Sequence, residues 1–98
     1  MKQFMINIKL PDVKTEEFNS LIPQQRAMVN SMMRKGIIIS YSLSFDRRQL
    51  WIVMDAKSEI NVIEVLAELP LMRFMKPEII ELLFHNNIYI NVPNLSLN

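Results

Sequence analysis

Two titratable side chains stand out by type and spacing, Glu81 and His85. They sit four residues apart in the alternating run Pro77 to His85, so they fall on one face of a strand with alpha carbons roughly 13 Å apart, and they would flank a ligand rather than bond each other. A carboxylate and an imidazole placed that way suit a general base and a general acid or orienting group. Asn7, Ser40 and Ser42 could donate hydrogen bonds to a carboxylate or a developing oxyanion. Arg73 carries the planar fork that grips an anion, and Trp51 offers a flat apolar wall. Each residue also has a plainer reading. Glu81 could pair with Lys9 or Lys76 at the surface, His85 could sit half exposed at a strand end, the serines could line a wet sheet face, and Arg73 could be solvated like most loop arginines.

Composition narrows the chemistry. With no cysteine and one histidine, the chain has neither a thiolate nor a His-built metal site in prospect, so no metal is expected. Its single glycine cannot build a phosphate-binding loop, a dinucleotide fingerprint or a nucleophile elbow, which excludes nucleotide chemistry. The net charge is +1 with Lys and Arg scattered, which gives no basic patch for nucleic acid or an anionic bilayer. The apolar stretch at Phe4-Met5-Ile6 is broken by Asn7 and Lys9, too short for a signal-peptide core, and no segment approaches the roughly 18 apolar residues of a membrane span. The expected location is the cytoplasm, with no nucleic-acid or membrane partner.

The elements that must position these residues follow from hydrophobic period. Gln3 to Leu10 alternates, with Phe4, Ile6, Ile8 and Leu10 opposed to Met5, Asn7 and Lys9, which predicts a strand ended by Pro11-Asp12. Thr15 is an N-cap with Glu16 and Glu17 behind it, and the stripe Phe18, Leu21, Ile22, Val29, Met32, Met33 is helical. Pro23 predicts a kink or a fresh helix start, with the main helix over Pro23 to Lys35 and Gly36 as its left-handed cap. Ile37 to Phe45 and Leu50 to Ala56 form a hairpin around Asp46-Arg47-Arg48-Gln49. Ser58 caps a second helix that stops at Leu69-Pro70, and Pro77 to His85 is the last strand.

The order βαββαβ predicts an α+β, ferredoxin-like domain over 1–87: a four-stranded antiparallel sheet with two helices on one face. Residues 88–98 form a C-terminal tail expected to pack on a partner subunit. The helix-covered face should carry Phe4, Ile6, Ile8, Ile39, Leu43, Ile80, Leu82 and Phe84. The other should collect Met5, Asn7, Lys9, Ser40, Ser42, Ser44, Glu81 and His85 with Ile38, Ile79, Leu83 and one of Trp51 or Ile52. An apolar fraction of 50% exceeds what one small core needs, and a half-polar face of this kind is too apolar to stay wet. Two copies packing these faces would enclose a cavity, the dimeric α+β barrel arrangement, so a homodimer or higher homo-oligomer is expected.

Several stretches then look familiar: Lys9-Leu10-Pro11, Arg34-Lys35-Gly36, Trp51-Ile52-Val53-Met54-Asp55, and above all Leu69-Pro70-Leu71-Met72-Arg73-Phe74-Met75 ahead of the strand ending in His85. Together they resemble the muconolactone delta-isomerase family over roughly residues 3 to 86. The resemblance implies sheet-to-sheet association and a cofactor-free proton transfer in an unsaturated lactone carboxylate. On that reading Glu81 is the base, His85 the acid or orienter, and Asn7, Ser42 and Arg73 hold the anion. This chain departs from the family in its second strand, which is Ile-rich at Ile37-Ile38-Ile39. The alternatives are a non-catalytic binder of a small molecule in the same cavity, and a protein whose sheet face serves only for assembly.

Overall fold

The structure is a computed structural model that describes residues 1–86. Four strands, β1 (Lys2–Lys9), β2 (Ile38–Leu43), β3 (Gln49–Ala56) and β4 (Lys76–Leu82), alternate with α1 (Glu16–Ser20), α2 (Ile22–Arg34) and α3 (Glu59–Leu66). The sheet is antiparallel in the order β2-β3-β1-β4, so the two strands nearest each other in sequence form the β2–β3 hairpin and β1 lies between β3 and β4. This is the expected ferredoxin-like α+β arrangement. The tail expected at 88–98 lies outside the described residues.

Local chemistry accounts for the boundaries. The Thr15 hydroxyl accepts from the Phe18 N–H, and the Ser58 hydroxyl accepts from the Asn61 N–H, each satisfying a donor that a helix start leaves free. Pro23 stands in the first turn of α2, where its missing N–H costs nothing, and the break between α1 and α2 falls at Leu21. Gly36 ends the following turn at φ +75°, a backbone state that a side chain disfavours.

The helices cover one face of the sheet. Phe4, Ile6 and Ile8 from β1 and Leu50, Ile52, Met54 and Ala56 from β3 pack there against Phe18, Val29, Met32, Val62 and Leu66. Fully burying each large apolar side chain stabilises the fold by about 1.5–3 kcal/mol before chain entropy is counted. The Leu69-to-Met75 segment joins the same core through Leu69, Leu71 and Met75.

Two strands depart from the predicted faces. In β2 the register shifts between Ile38 and Ser40, so Ile38 opposes Met54 on the helix side and is 1% exposed. An extra residue in one strand resets the period of two, which moves Ile38 into the core place expected for Ile39 and leaves Ser40 and Ser42 on the open face as expected. In β4 the pairing sets Ile79 opposite Ile6, Ile80 opposite Met5, Glu81 opposite Phe4 and Leu82 opposite Gln3. Directly opposed residues share a face, so Ile79 and Glu81 point to the helix side, while Ile80 and Leu82 belong to the open face. The strand also ends at Leu82, and Phe84, 66% exposed, contributes nothing to the core. As an edge strand, β4 is only partly roofed by helices. Its helix side can therefore hold an acid at its end, and the segment 79–84, apolar on both sides of Glu81, fits either phase.

Candidate functional site

The open face of the sheet can be read row by row from the pairings. Ser42 opposes Trp51, Trp51 opposes Asn7, and Asn7 opposes Glu78, giving a row of four side chains across all four strands. Adjacent members have beta carbons about 4.5–5.5 Å apart. The neighbouring row is Ser40, Val53, Met5 and Ile80, an apolar floor beside the polar row. On the other side lie Gln49, Lys9 and Lys76. Trp51 is 39% exposed and Ile80 44%, whereas Ile52, its neighbour on the opposite face, is 0% exposed, which settles the Trp51/Ile52 choice.

The Gln49 side-chain amide donates to Asn7 Oδ1 from the diagonal position on β3. That bond engages the Asn7 carbonyl, and the Asn7 NH2 has no acceptor among the described residues, at a row position flanked by Trp51 and Glu78. Carboxylate, amide donor, hydroxyl and aromatic wall are the parts that proton transfer beside a carbonyl needs. Sequence reasoning placed Asn7, Ser40 and Ser42 here, left Trp51 or Ile52 open beside them, and missed Glu78 and Gln49. The signal for Glu78 was the phase of β4, which only its pairing with β1 reveals.

The other predicted residues lie elsewhere. Glu81 stands on the helix side at the sheet's edge, where Lys2 Nζ is 3.6 Å from its carboxylate, so it does not share a face with Asn7 and the serines. The ion pair is exposed, as the surface reading expected, but with a different lysine. Arg73 pairs with Glu17 of α1 and lies 4.8 Å from the centre of the Phe74 ring, which in turn meets Phe18 edge to face at 5.6 Å. Its guanidinium holds the 3-10 turn Met72–Phe74 against α1, on the helix side and away from the open face. His85 follows the end of β4, half buried, and its Nε2 is enclosed without a hydrogen-bond partner among the described residues.

Two concavities accompany these features. A shallow depression of about 710 Å³ at the end of the sheet is lined by Lys2, Gln3, Asp55, Glu81 and Leu83 and opens widely to solvent. A more enclosed cleft of about 420 Å³ lies on the helix side, between α1–α2 and the end of β2–β3. At its wall Gln25, only 4% exposed, donates through Nε2 to the Tyr41 hydroxyl at 3.3 Å and accepts from the Leu71 N–H at 3.0 Å. Burial pushes the Tyr41 phenol above its ordinary value, partly offset by the Gln25 hydrogen bond. Among the described residues no cluster of His, Asp and Glu could hold a metal ion, and no helix is long and apolar enough to cross a membrane.

The fold and the half-polar open face define a ferredoxin-like α+β protein. Residues 3–88 match the model of the muconolactone delta-isomerase family, and the chain belongs to that family. Among solved structures it is similar to a crystal structure of muconolactone isomerase, with a TM-score of 0.69 and 22% identity over 91% of this chain and 97% of the other. At that identity the likeness speaks for the fold. No curated protein sequence matches the chain.

Proposed function

We propose that the protein is a cofactor-free isomerase that moves a proton within a small unsaturated lactone or carboxylate on the open face of the sheet. The observation that carries this reading is the single row Ser42, Trp51, Asn7 and Glu78. Glu78 takes the role that sequence reasoning gave to Glu81: it removes a proton beside the carbonyl and returns it at the far carbon of the shifted double bond. Asn7, oriented by Gln49, and Ser42 donate to the enolate oxygen that develops between the two steps. Trp51 walls the planar substrate, Ser40 and Met5 lie beneath it, and Lys9 and Lys76 favour its carboxylate by charge. The location remains the cytoplasm expected from sequence.

A second copy completes the site in this proposal. A lone sheet face leaves the row open to water, which would compete for the donors and quench the intermediate. Met5, Trp51, Ile80 and Leu82 supply apolar surface for the contact. Light scattering should give twice the chain mass for the native protein and the chain mass for Ile80→Lys, and a native monomer would overturn this part.

Turnover tests the chemistry. With muconolactone in deuterated buffer, NMR should show double-bond migration with deuterium exchange, reduced about 100-fold or more by Glu78→Gln. Glu81→Gln, across the sheet and paired with Lys2, should keep its turnover. Full activity in Glu78→Gln would remove Glu78 as the base.

A further inference from the structure

The cleft between α1–α2 and β2–β3 lies on the opposite side of the sheet from the Asn7 row, and the isomerase reading makes no use of it. Its inner wall is apolar, built from Phe18, Ile22, Leu50, Leu71 and Met75. Three cations line it as well, Lys14, Arg26 and Arg47, and no carboxylate does. The ion pairs among the described residues are Lys2–Glu81, Arg48–Asp12 and Arg73–Glu17, so the charges of Lys14, Arg26 and Arg47 are left without a protein counter-ion there.

One of these cations is fixed in place. Lys14 Nζ donates to the carbonyl of Pro11 at 2.7 Å and to that of Arg47 at 3.0 Å. Arg47 itself occupies the left-handed backbone region at φ 62°, which helps aim its carbonyl at the ammonium. Two neutral acceptors hold the Lys14 head without cancelling its charge, and its third hydrogen remains free to donate. Deeper in, the Tyr41 oxygen accepts from Gln25, and the hydroxyl's own hydrogen has no acceptor among the described residues. Gln25 is also tied to Leu71, so the phenol is held by a buried side chain that cannot easily turn away.

We infer that this cleft is a binding site for a small organic anion, a monocarboxylate with an apolar body. The apolar wall takes the body, and the Lys14, Arg26 and Arg47 charges with the Tyr41 hydroxyl take the carboxylate. About 420 Å³ falls within the range of small-molecule sites, and an apolar pocket with a few converging polar groups is their usual composition. Unpaired cations around a low-dielectric recess favour an anion over a neutral molecule of the same shape.

Calorimetric titration of the intact protein with hexanoate and with hexanol tests the assignment. Hexanoate should bind at least about tenfold more tightly than hexanol, and the difference should shrink as salt is raised. The double variant Lys14→Met/Arg26→Met should weaken hexanoate about tenfold or more and leave hexanol little changed, and Tyr41→Phe should weaken hexanoate by a smaller factor. Lys57→Gln, which removes a charge elsewhere, should bind both as the native protein does. Circular dichroism of each variant confirms that the fold is intact. Absence of hexanoate binding, equal affinity for hexanoate and hexanol, or equal affinity of native and double-variant protein would each overturn the assignment. Because Glu78 is not involved, these outcomes are independent of whether the open face catalyses an isomerisation.

Discussion

Replacing Gln25 with methionine should destabilise the fold by an amount set by one buried hydrogen bond. Gln25 is the one polar residue among those fully buried in the described structure, and its Oε1 is the acceptor for the Leu71 N–H. Methionine keeps the length and most of the volume of the side chain, so the change leaves little cavity and isolates the hydrogen bonding. The Leu71 N–H would then be buried without an acceptor, at a cost of about 1–3 kcal/mol, because its partner in the unfolded chain is water. Loss of the longer, neutral bond to Tyr41 adds about 0.5–1 kcal/mol. The greater apolar character of methionine offsets part of this, giving a net loss of about 2 kcal/mol. For a domain of this size each kcal/mol lowers Tm by about 4–8 °C, so a drop of about 8–16 °C is expected. Urea and thermal unfolding followed by circular dichroism measure both quantities. Tyr41→Phe removes only the weaker bond and should cost clearly less than Gln25→Met. If Gln25→Met unfolds within about 0.5 kcal/mol of the native protein, the Gln25–Leu71 bond does not hold the Leu69-to-Met75 segment to α2.

Two further outcomes follow from the same structure. The Tyr41 phenol is raised above its ordinary value of 10.0 by burial, so with rising pH the unfolded chain loses that proton first and native stability falls. The stability contribution is therefore whole below about pH 10 and declines above it. In urea unfolding the advantage of the native protein over Tyr41→Phe should narrow between about pH 8 and about pH 11, and a constant or widening gap would contradict it. Gly36→Ala should cost about 1 kcal/mol through its φ of +75° alone, since no atom lies within 4 Å of the added carbon. Gly36→Asn should cost less in the same thermal melt, and equal losses would point to a cause other than the backbone angle.

The sequence alone determined the elements and their order. Period-two runs in 3–10 and 50–56, the helical stripe from Phe18 to Met33, the Thr15 and Ser58 caps, Pro23 at a helix start and Gly36 at a helix end are local events. Each depends on a few neighbouring residues and on backbone chemistry that does not change with the surroundings. The resemblance carried by Leu69 to Met75 likewise points to the family from local sequence alone. Asn7, Ser40 and Ser42 could be placed on one face because β1 alternates cleanly and the serines of β2 recur at every second position, whereas the choice between Trp51 and Ile52 fell to the structure.

Only the tertiary structure decided which carboxylate joins them. In β4 both phases offer apolar residues, Ile79 on one side and Ile80 with Leu82 on the other, so hydrophobic period does not choose between them. The choice comes from hydrogen-bond register with β1, which sets Glu78 against Asn7 and sends Glu81 to Lys2. The bulge at Ile38–Ser40 and the capture of Arg73 by Glu17 have the same origin. They depend on partners distant in sequence, and a strand's own pattern does not encode the register of its neighbour. The cleft around Gln25 and Tyr41 exists for that reason too: a glutamine in a helix and a tyrosine in a strand look unremarkable until packing closes them against Leu71.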